Sequence, residues 1–249
     1  MKPLLLSLMT AAMLAAQTAE PPRLEIVLSL NGRDGATIQP GEALIAAATF
    51  LSTEQTRERA ATATLTLWTP DGTQIEHGMR ERESTVSLTE GQELVLRVWT
   101  VSPEVTTNLA PGEYLAWLET EGQPPAQARI KVEASIPADD ADHQALRHLI
   151  LSHWLQLEAQ FDQALAQAEE LITLQPGNLA ARIRKADVLI AAGRLEEALP
   201  VLDDAELQYH ALNPEGAHPP RLIQLRQQKV LNALGRGDDT LDGVSSGKP

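Results

Sequence analysis

Residues 159–165 read AQFDQAL, and residues 193–199, which lie 34 positions later, read GRLEEAL. Both stretches place a small residue before a leucine at the same point, Ala164 in one and Ala198 in the other. Apolar residues recur around them at helical spacing, so each repeat of 34 residues predicts a pair of antiparallel helices. We expect small side chains at these points because the two helices of a pair cross closely there.

These two stretches resemble the tetratricopeptide repeat family. The resemblance implies an all-α array of two stacked helical hairpins, over residues 145–178 and 179–212. It also implies close helix crossing at Ala159 and Gly193, where both repeats carry a small residue. Arrays of this kind present extended surfaces to protein partners and rarely supply reaction chemistry.

The helices of the array can be placed from the apolar spacing. Within the two repeats, helices are predicted over residues 142–157, 161–174, 179–192 and 195–209. A further amphipathic helix over 219–234 has no partner helix after it and is interpreted as a cap. The helical domain is therefore predicted over 141–235, and the polar residues 236–249 are predicted to form a disordered tail.

The residues before the repeats have the pattern of an all-β domain, predicted over 20–135. Short runs rich in Val, Ile, Leu, Thr and Trp alternate with turns that contain Gly, Pro and Asp. Strands are predicted over residues 24–30, 42–51, 61–69, 74–77, 84–88, 93–101, 112–119 and 126–133. This number of strands in about 110 residues predicts an antiparallel immunoglobulin-like β-sandwich. Residues 136–140 are predicted as a linker whose aspartates cap the first helix, so the fold class is multidomain, α and β.

Aromatic residues of the β domain have two interpretations. Residues 109–114, LAPGEY, resemble the tyrosine corner of Greek-key sandwiches, in which the hydroxyl of Tyr114 would bond back across the loop. The alternative is a plain Pro-Gly turn before a half-buried tyrosine. Trp68, Trp99 and Trp117 fall on predicted strands and are assigned to the core, with an exposed carbohydrate-binding pair as the alternative.

The first 19 residues have the pattern of a secretory signal peptide. Lys2 precedes a 13-residue apolar run over 4–16, and small residues follow before the Pro21-Pro22 break. Cleavage is expected after Ala16 or Ala19, and an uncleaved N-terminal helix or anchor is the alternative. The apolar run is shorter than the roughly 20 residues that span a bilayer. The sequence therefore predicts a periplasmic or secreted protein without stable membrane insertion.

Charge and composition exclude several classes of function. The formal net charge of −14 argues against nucleic acid as a partner, because phosphate binding needs a basic surface. There is no cysteine, so disulfides, thiolate catalysis and zinc–thiolate sites are excluded. Residues 243–247, GVSSG, match a serine-hydrolase pattern, but too little chain follows to supply the acid and the histidine. We predict no catalytic residue, no metal site and no cofactor.

The resemblance also implies where partners bind. In the family, positions two, five, nine and twelve of each first helix face the partner, and the capping helix would continue this face. Carried onto this chain, these positions are Leu146, Leu149, His153 and Gln156 in the first repeat, Ala180, Ile183, Asp187 and Ile190 in the second, and Leu222, Leu225 and Lys229 on the capping helix. All of them except Ala180 are predicted to bind the partner. The lysine and asparagine pattern with which family members bind C-terminal carboxylates is absent. The resulting face is largely apolar, and a client segment, the chain's own sandwich or a second copy remain alternative occupants.

Taken together, these features predict a non-catalytic, exported adaptor that binds a protein partner in the cell envelope. The partner's identity is not specified by the sequence, and self-association into a homo-oligomer is a further alternative. The competing class is a glycan- or ligand-binding β-sandwich, with the repeats as a spacer or dimerisation element. Two tryptophans on one exposed face of the sandwich would favour that class.

Overall fold

The protein is described here by a computed structural model that covers residues 25–53, 62–75, 79–89, 92–137, 139–213 and 220–236. The signal peptide predicted over 1–19 lies outside the described residues, as does the predicted tail apart from Arg236. The chain divides into two compact units. One unit contains most of the β-strands, and the other contains the helical hairpins.

Nine strands of the described residues form two sheets. Their bounds are β1 (Glu25–Leu30), β2 (Gly35–Ile38), β3 (Leu44–Thr53), β4 (Thr64–Trp68), β5 (Gln74–Ile75), β6 (Met79–Thr89), β7 (Gln92–Val101), β8 (Gly112–Glu119) and β9 (Ala126–Val132). The first sheet has the order β1-β3-β7-β6, and the second has the order β2-β9-β8-β4-β5. This distribution of strands between two sheets is that of an immunoglobulin-like fold. The predicted fold class is confirmed.

One strand pair departs from the predicted antiparallel sandwich. Strand β2 was not predicted, and it pairs with β9 in parallel, with Gly35 opposite Arg129. A Cβ atom at Gly35 would lie 3.0 Å from the carbonyl oxygen of Arg129, so the glycine lets the two backbones approach. Four residues that begin with a turn-forming glycine carry no strand signal, and the partner strand is far away in sequence.

The aromatic residues of the β-sheets divide between two roles. The hydroxyl of Tyr114 donates a hydrogen bond to the carbonyl oxygen of Ala110 at 2.9 Å, which confirms the tyrosine corner. Trp99 on β7 is only 3% exposed and belongs to the core. Trp68 on β4 and Trp117 on β8 alternate with the buried positions of their strands and are half-buried. The prediction that these two also form the core is therefore wrong.

The helices follow the predicted repeats closely. Their bounds are α1 (Pro103–Thr106), α2 (Ala141–Leu157), α3 (Phe161–Leu174), α4 (Leu179–Ala191), α5 (Leu195–Leu212) and α6 (Arg221–Ala233). The side chain of Asp140 caps α2 by accepting a hydrogen bond from the backbone N–H of His143 at 2.9 Å. Asn178 caps α4 in the same way, through the N–H of Ala180. The short α1 was not predicted.

The core of the helical array lies where the two repeats meet. Ala164 and Ala198 are both fully buried, in one cluster that also contains Leu155, Leu189 and Leu202. The equivalent burial of the two alanines agrees with the close helix crossing that the sequence predicts. Any larger side chain at these positions would overpack the crossing.

The turn residues Ala159 and Gly193 have a different reason for being small. Ala159 has a φ of 58° and Gly193 a φ of 73°, both in the left-handed region. The backbone N–H of the next residue bonds back to the preceding helix in each repeat, from Gln160 to Leu155 at 2.8 Å and from Arg194 to Leu189 at 2.9 Å. A Cβ atom at Gly193 would have no atom within 4 Å. Backbone conformation, not helix crossing, accounts for both residues.

Replacing Ala159 with glycine is expected to stabilise the protein. An L-residue in the left-handed region costs about 1–2 kcal/mol relative to glycine. Glycine also makes the unfolded chain more flexible, which offsets part of the stability gained by removing this strain. We expect Ala159→Gly to raise the free energy of unfolding by about 0.5–1 kcal/mol, measured by urea unfolding followed by circular dichroism at 222 nm. Gly193→Ala is the matched variant in the other repeat and is expected to lower it. A fall in stability with Ala159→Gly would contradict this account of the turn.

The helical unit also includes two segments that come from between strands. Residues 39–44 and 102–109 group with the chain from residue 133 onward. Within this unit, the hydroxyl of Thr106 donates to the carbonyl oxygen of Glu42 at 2.7 Å. The carboxylate of Glu42 lies 3.0 Å from Nε2 of His143 on α2. These contacts join residues that are distant in sequence, so the unit is not one continuous stretch of chain.

Candidate functional site

A groove of about 490 Å³ runs beside the first helix of each repeat and the capping helix. Five of the predicted partner-binding residues line it: His153, Gln156, Asp187, Ile190 and Lys229. His153 and Gln156 are one turn apart on α2, and Asp187 and Ile190 occupy the equivalent places on α4. The spacing of three residues puts each pair on one face of its helix, and stacking of the repeats brings the two faces together.

The other five predicted residues do not line this groove. Leu149 packs against the buried cluster of Ala145, Leu171 and Ala181, so it is partly a core residue. Leu146 and Ile183 are half-buried outside the groove. Leu222 and Leu225 lie on α6 with 50% and 53% of their surface exposed.

Asp187 is the main acidic group of the groove. Its two carboxylate oxygens accept hydrogen bonds from Nε and Nη2 of Arg226 on α6, at 2.6 and 2.9 Å. This two-pronged geometry is the strong form of an arginine–carboxylate pair. The hydrogen bond to Asp187 raises the pKa of Arg226. The pair ties the capping helix to α4 and leaves the charge of Asp187 neutralised.

Arg184 on α4 forms part of the groove wall and was missed by the sequence analysis. It is only 8% exposed. Its Nε donates to the hydroxyl of Ser152 at 3.3 Å, and that hydroxyl donates to the carbonyl oxygen of Ala164 at 2.8 Å. Among the described residues, nothing accepts a hydrogen bond from its buried Nη2. Burial lowers the pKa of Arg184 to about 10, so the side chain remains cationic at neutral pH.

A signal for Arg184 was present in the repeat itself. The equivalent residue in the first repeat is Ile150, which is buried in the array. A charged residue in place of an apolar core residue, 34 positions later, indicates a buried cation. The family's partner-facing positions do not include this one, whereas the difference between the two repeats at this point indicates it.

His153 is neutral in the groove at physiological pH. Burial and, to a smaller extent, the nearby cation of Arg184 together lower the pKa of this histidine to about 4, against the smaller opposing effect of Asp187. The imidazole therefore contributes a polar, uncharged surface. The positive charge of the groove comes from Arg184 and Lys229.

Other features of the described residues do not indicate chemistry. A second depression of about 550 Å³ between α5 and α6 is lined mainly by glutamine and acidic side chains, where Gln227 bridges Asp203 and Glu206. No group of three or more His, Asp or Glu residues in the described part of the chain is placed to hold a metal ion. None of the described helices has the length and apolar character needed to cross a bilayer.

Comparison with known proteins supports the repeat assignment. The family model of the tetratricopeptide repeat matches residues 155–217. The predicted resemblance of the C-terminal part to this family is confirmed, and repeats of this type suggest protein–protein interaction. No curated protein matches the chain.

A solved structure, one of two matching chains, is similar to part of this chain. It is the crystal structure of the Lin-41 filamin domain, with 10% sequence identity and a TM-score of 0.25. The match covers 43% of this chain and 93% of that chain. A likeness at this level carries no argument, and the immunoglobulin-like assignment stands on the strand order.

Proposed function

We propose that this protein is an exported, non-catalytic adaptor that holds a segment of a partner protein in the groove. The observation that carries the proposal is the groove itself, because residues of both repeats and of the cap line it together. Its volume lies within the range of about 300–1,000 Å³ that is typical of binding pockets. Tetratricopeptide repeats and immunoglobulin-like domains are typically non-catalytic, which supports the non-catalytic part.

Export to the periplasm is supported by the sequence of residues 1–19 alone. Its charged start, apolar run and small residues are those of a cleaved signal. The test is the intact mass of the protein recovered from the envelope fraction. A chain that begins after Ala16 or Ala19 supports export, and a full-length chain in the cytoplasmic fraction contradicts it.

The adaptor proposal can be tested by photo-crosslinking in cells of the source organism. A benzophenone amino acid at Leu222, exposed on α6, is expected to capture a discrete protein, and one at Leu207, exposed on α5, is not. Ala191 is exposed on the groove wall, so Ala191→Trp should fill the groove without disturbing the core. We expect this variant to abolish the crosslink from Leu222.

Ala211→Trp is the matched control, because Ala211 is also exposed near the end of a helix but does not line the groove. This variant should keep the crosslink. A crosslink that survives Ala191→Trp would contradict binding in the groove. A crosslink between two copies of this chain would contradict the adaptor function and indicate a homo-oligomer instead.

A second candidate function rests on the two half-buried tryptophans of the β-sheets. Trp68 and Trp117 lie on neighbouring strands of one sheet and on the same face, since both alternate with buried positions. Nε1 of Trp117 donates to the carboxylate of Glu119 at 3.0 Å. This arrangement favours the glycan-binding alternative. Binding to a glycan array that is lost in Trp117→Ala and kept in Ala191→Trp would establish it.

A further inference from the structure

The groove contains a cation that the protein itself leaves incompletely paired. Arg184 is more than nine-tenths buried, and its Nη2 has no acceptor among the described residues. A buried charged group without its full set of hydrogen bonds costs stability. A ligand that supplied an acceptor would offset this cost.

The nearest carboxylate does not satisfy Arg184. Both oxygens of Asp187 already accept hydrogen bonds from Arg226. The Nε of Arg184 bonds to the neutral hydroxyl of Ser152 instead of an acid. Among the described residues, no negatively charged acceptor is bonded to Arg184.

Two further groups of the groove indicate what carries that charge. Lys229 is exposed on α6, lines the groove and forms no ion pair with the described residues. The amide oxygen of Gln156 is buried and has no donor among the described residues. An anion would bond to the two cations, while a backbone N–H would bond to the oxygen of Gln156. A peptide supplies both groups, and a free inorganic anion supplies only the first.

The rest of the lining is apolar. Ile190, Ala191, Leu195 and Ala233 complete the groove. Apolar side chains flanking an acidic residue would bury their surface there. The local positive charge stands out in a chain of net charge −14, so it attracts an acidic segment that the rest of the surface repels.

We propose that the groove binds an extended apolar segment of the partner protein through one acidic side chain, whose carboxylate pairs with Arg184 and Lys229. The oxygen of Gln156 accepts the N–H of the same segment. The proposal rests on the adaptor function and names the chemistry that the groove recognises. The residues differ from the lysine and asparagine pattern of the family, which this chain lacks.

The test uses the full chain, labelled with ¹⁵N, and blocked peptides in a nuclear magnetic resonance titration. The probe is acetyl-Ala-Leu-Glu-Leu-Ala-amide, with the glutamine version as the matched peptide and inorganic phosphate as a third ligand. We expect the glutamate peptide to shift the Nε–H resonance of Arg184 in a saturable way. The glutamine peptide is expected to bind at least about tenfold more weakly, because it lacks the charge-assisted bonds. Equal binding of the two peptides, or an equal effect of phosphate, would overturn the proposal.

Variants of the protein give an independent measure, from the shifts of backbone amides around the groove. Arg184→Met is expected to abolish binding of the glutamate peptide, and Arg184→Lys to retain part of it. Lys229→Gln should weaken binding roughly three- to tenfold, while Lys185→Gln, which changes a lysine paired with Glu169, should not. Because Lys229 is exposed, its variant stays informative even where Arg184→Met fails to fold. Unchanged binding in Lys229→Gln and in Arg184→Lys would also overturn the proposal.

The chain's own acidic residues are a competing occupant. Asp238, Asp239 and Asp242 follow α6 in sequence. A variant without residues 237–249 should bind the glutamate peptide as the full chain does. If the glutamate peptide binds only after this deletion, the groove is occupied by the chain's own aspartate side chains. The two proposals can also fail separately. If Ala191→Trp abolishes the crosslink from Leu222 but the groove shows no preference for the acidic peptide, the adaptor function is supported and only the proposed role of a carboxylate is refuted.

Discussion

Lowering the pH from 7 to 4 is expected to destabilise the helical unit by about 3 kcal/mol through His153 alone, since one pKa unit corresponds to 1.36 kcal/mol. The pKa of this histidine is about 4 in the folded protein and 6.5 in the unfolded chain. Between these values the unfolded chain takes up a proton that the folded protein does not. Stability is therefore complete above pH 6.5, falls as the pH decreases and levels off below pH 4.

The measurement is urea unfolding at a series of pH values, followed by circular dichroism at 222 nm. Carboxylates also titrate near pH 4, so the contribution of His153 is the difference between the wild type and His153→Gln. Between pH 6.5 and pH 4, we expect the free energy of unfolding of the variant to fall less steeply with decreasing pH than that of the wild type. His210→Gln changes an exposed histidine of α5 and is the matched control. Parallel pH profiles for the wild type and His153→Gln would contradict the buried, neutral histidine.

Asp187→Asn is expected to cost about 2–3 kcal/mol of stability, because it leaves the guanidinium group of Arg226 without its carboxylate. Asp187 and Arg226 are 28% and 24% exposed, so solvent screens part of the loss and the value lies below that of a fully buried pair. The negative charge of Asp187 also favours the charged form of Arg184, so the substitution makes the burial of that cation more costly. Urea unfolding of the full chain measures the effect.

Asp204→Asn is the matched control for this substitution. Asp204 pairs with Arg182 between α5 and α4, but its side chain is 62% exposed. Exposed pairs contribute about 0–1 kcal/mol, so we expect a small change. The double variant with Arg226→Met should recover part of the loss, because it removes the cation that Asp187→Asn leaves unpaired. Equal losses for Asp187→Asn and Asp204→Asn would show that the groove pair is an ordinary surface contact.

Much of the helical array was predictable because its signals are local and repeated. The bounds of α2 and α3 follow the apolar spacing to within one residue, and Ala164 and Ala198 lie at equivalent buried points. Half of the predicted partner-binding residues line the groove. The others differ because the family face continues past the groove at both ends, where Leu149 packs inward and Leu222 is left exposed.

The errors arise where a residue's role depends on distant chain or on backbone conformation. From the sequence, the small residues at the turns were expected to allow close helix crossing. The left-handed φ of Ala159 shows that the backbone conformation of the turn is the reason instead. Strand β2 exists because β9 pairs with it, which no local pattern shows. The outward positions of Trp68 and Trp117 depend on the register of β4 and β8, since a shift of one residue would reverse them.

By itself, the sequence determined that the chain contains a β domain followed by two helical hairpins and a cap. It could do so because hydrophobic periodicity and turn chemistry act over a few residues. Tertiary structure alone decided that Arg226 is paired with Asp187 while the Nη2 of Arg184 lacks an acceptor. The charge state and the partners of a side chain depend on burial and on groups brought together from different helices, and neither is written in local spacing.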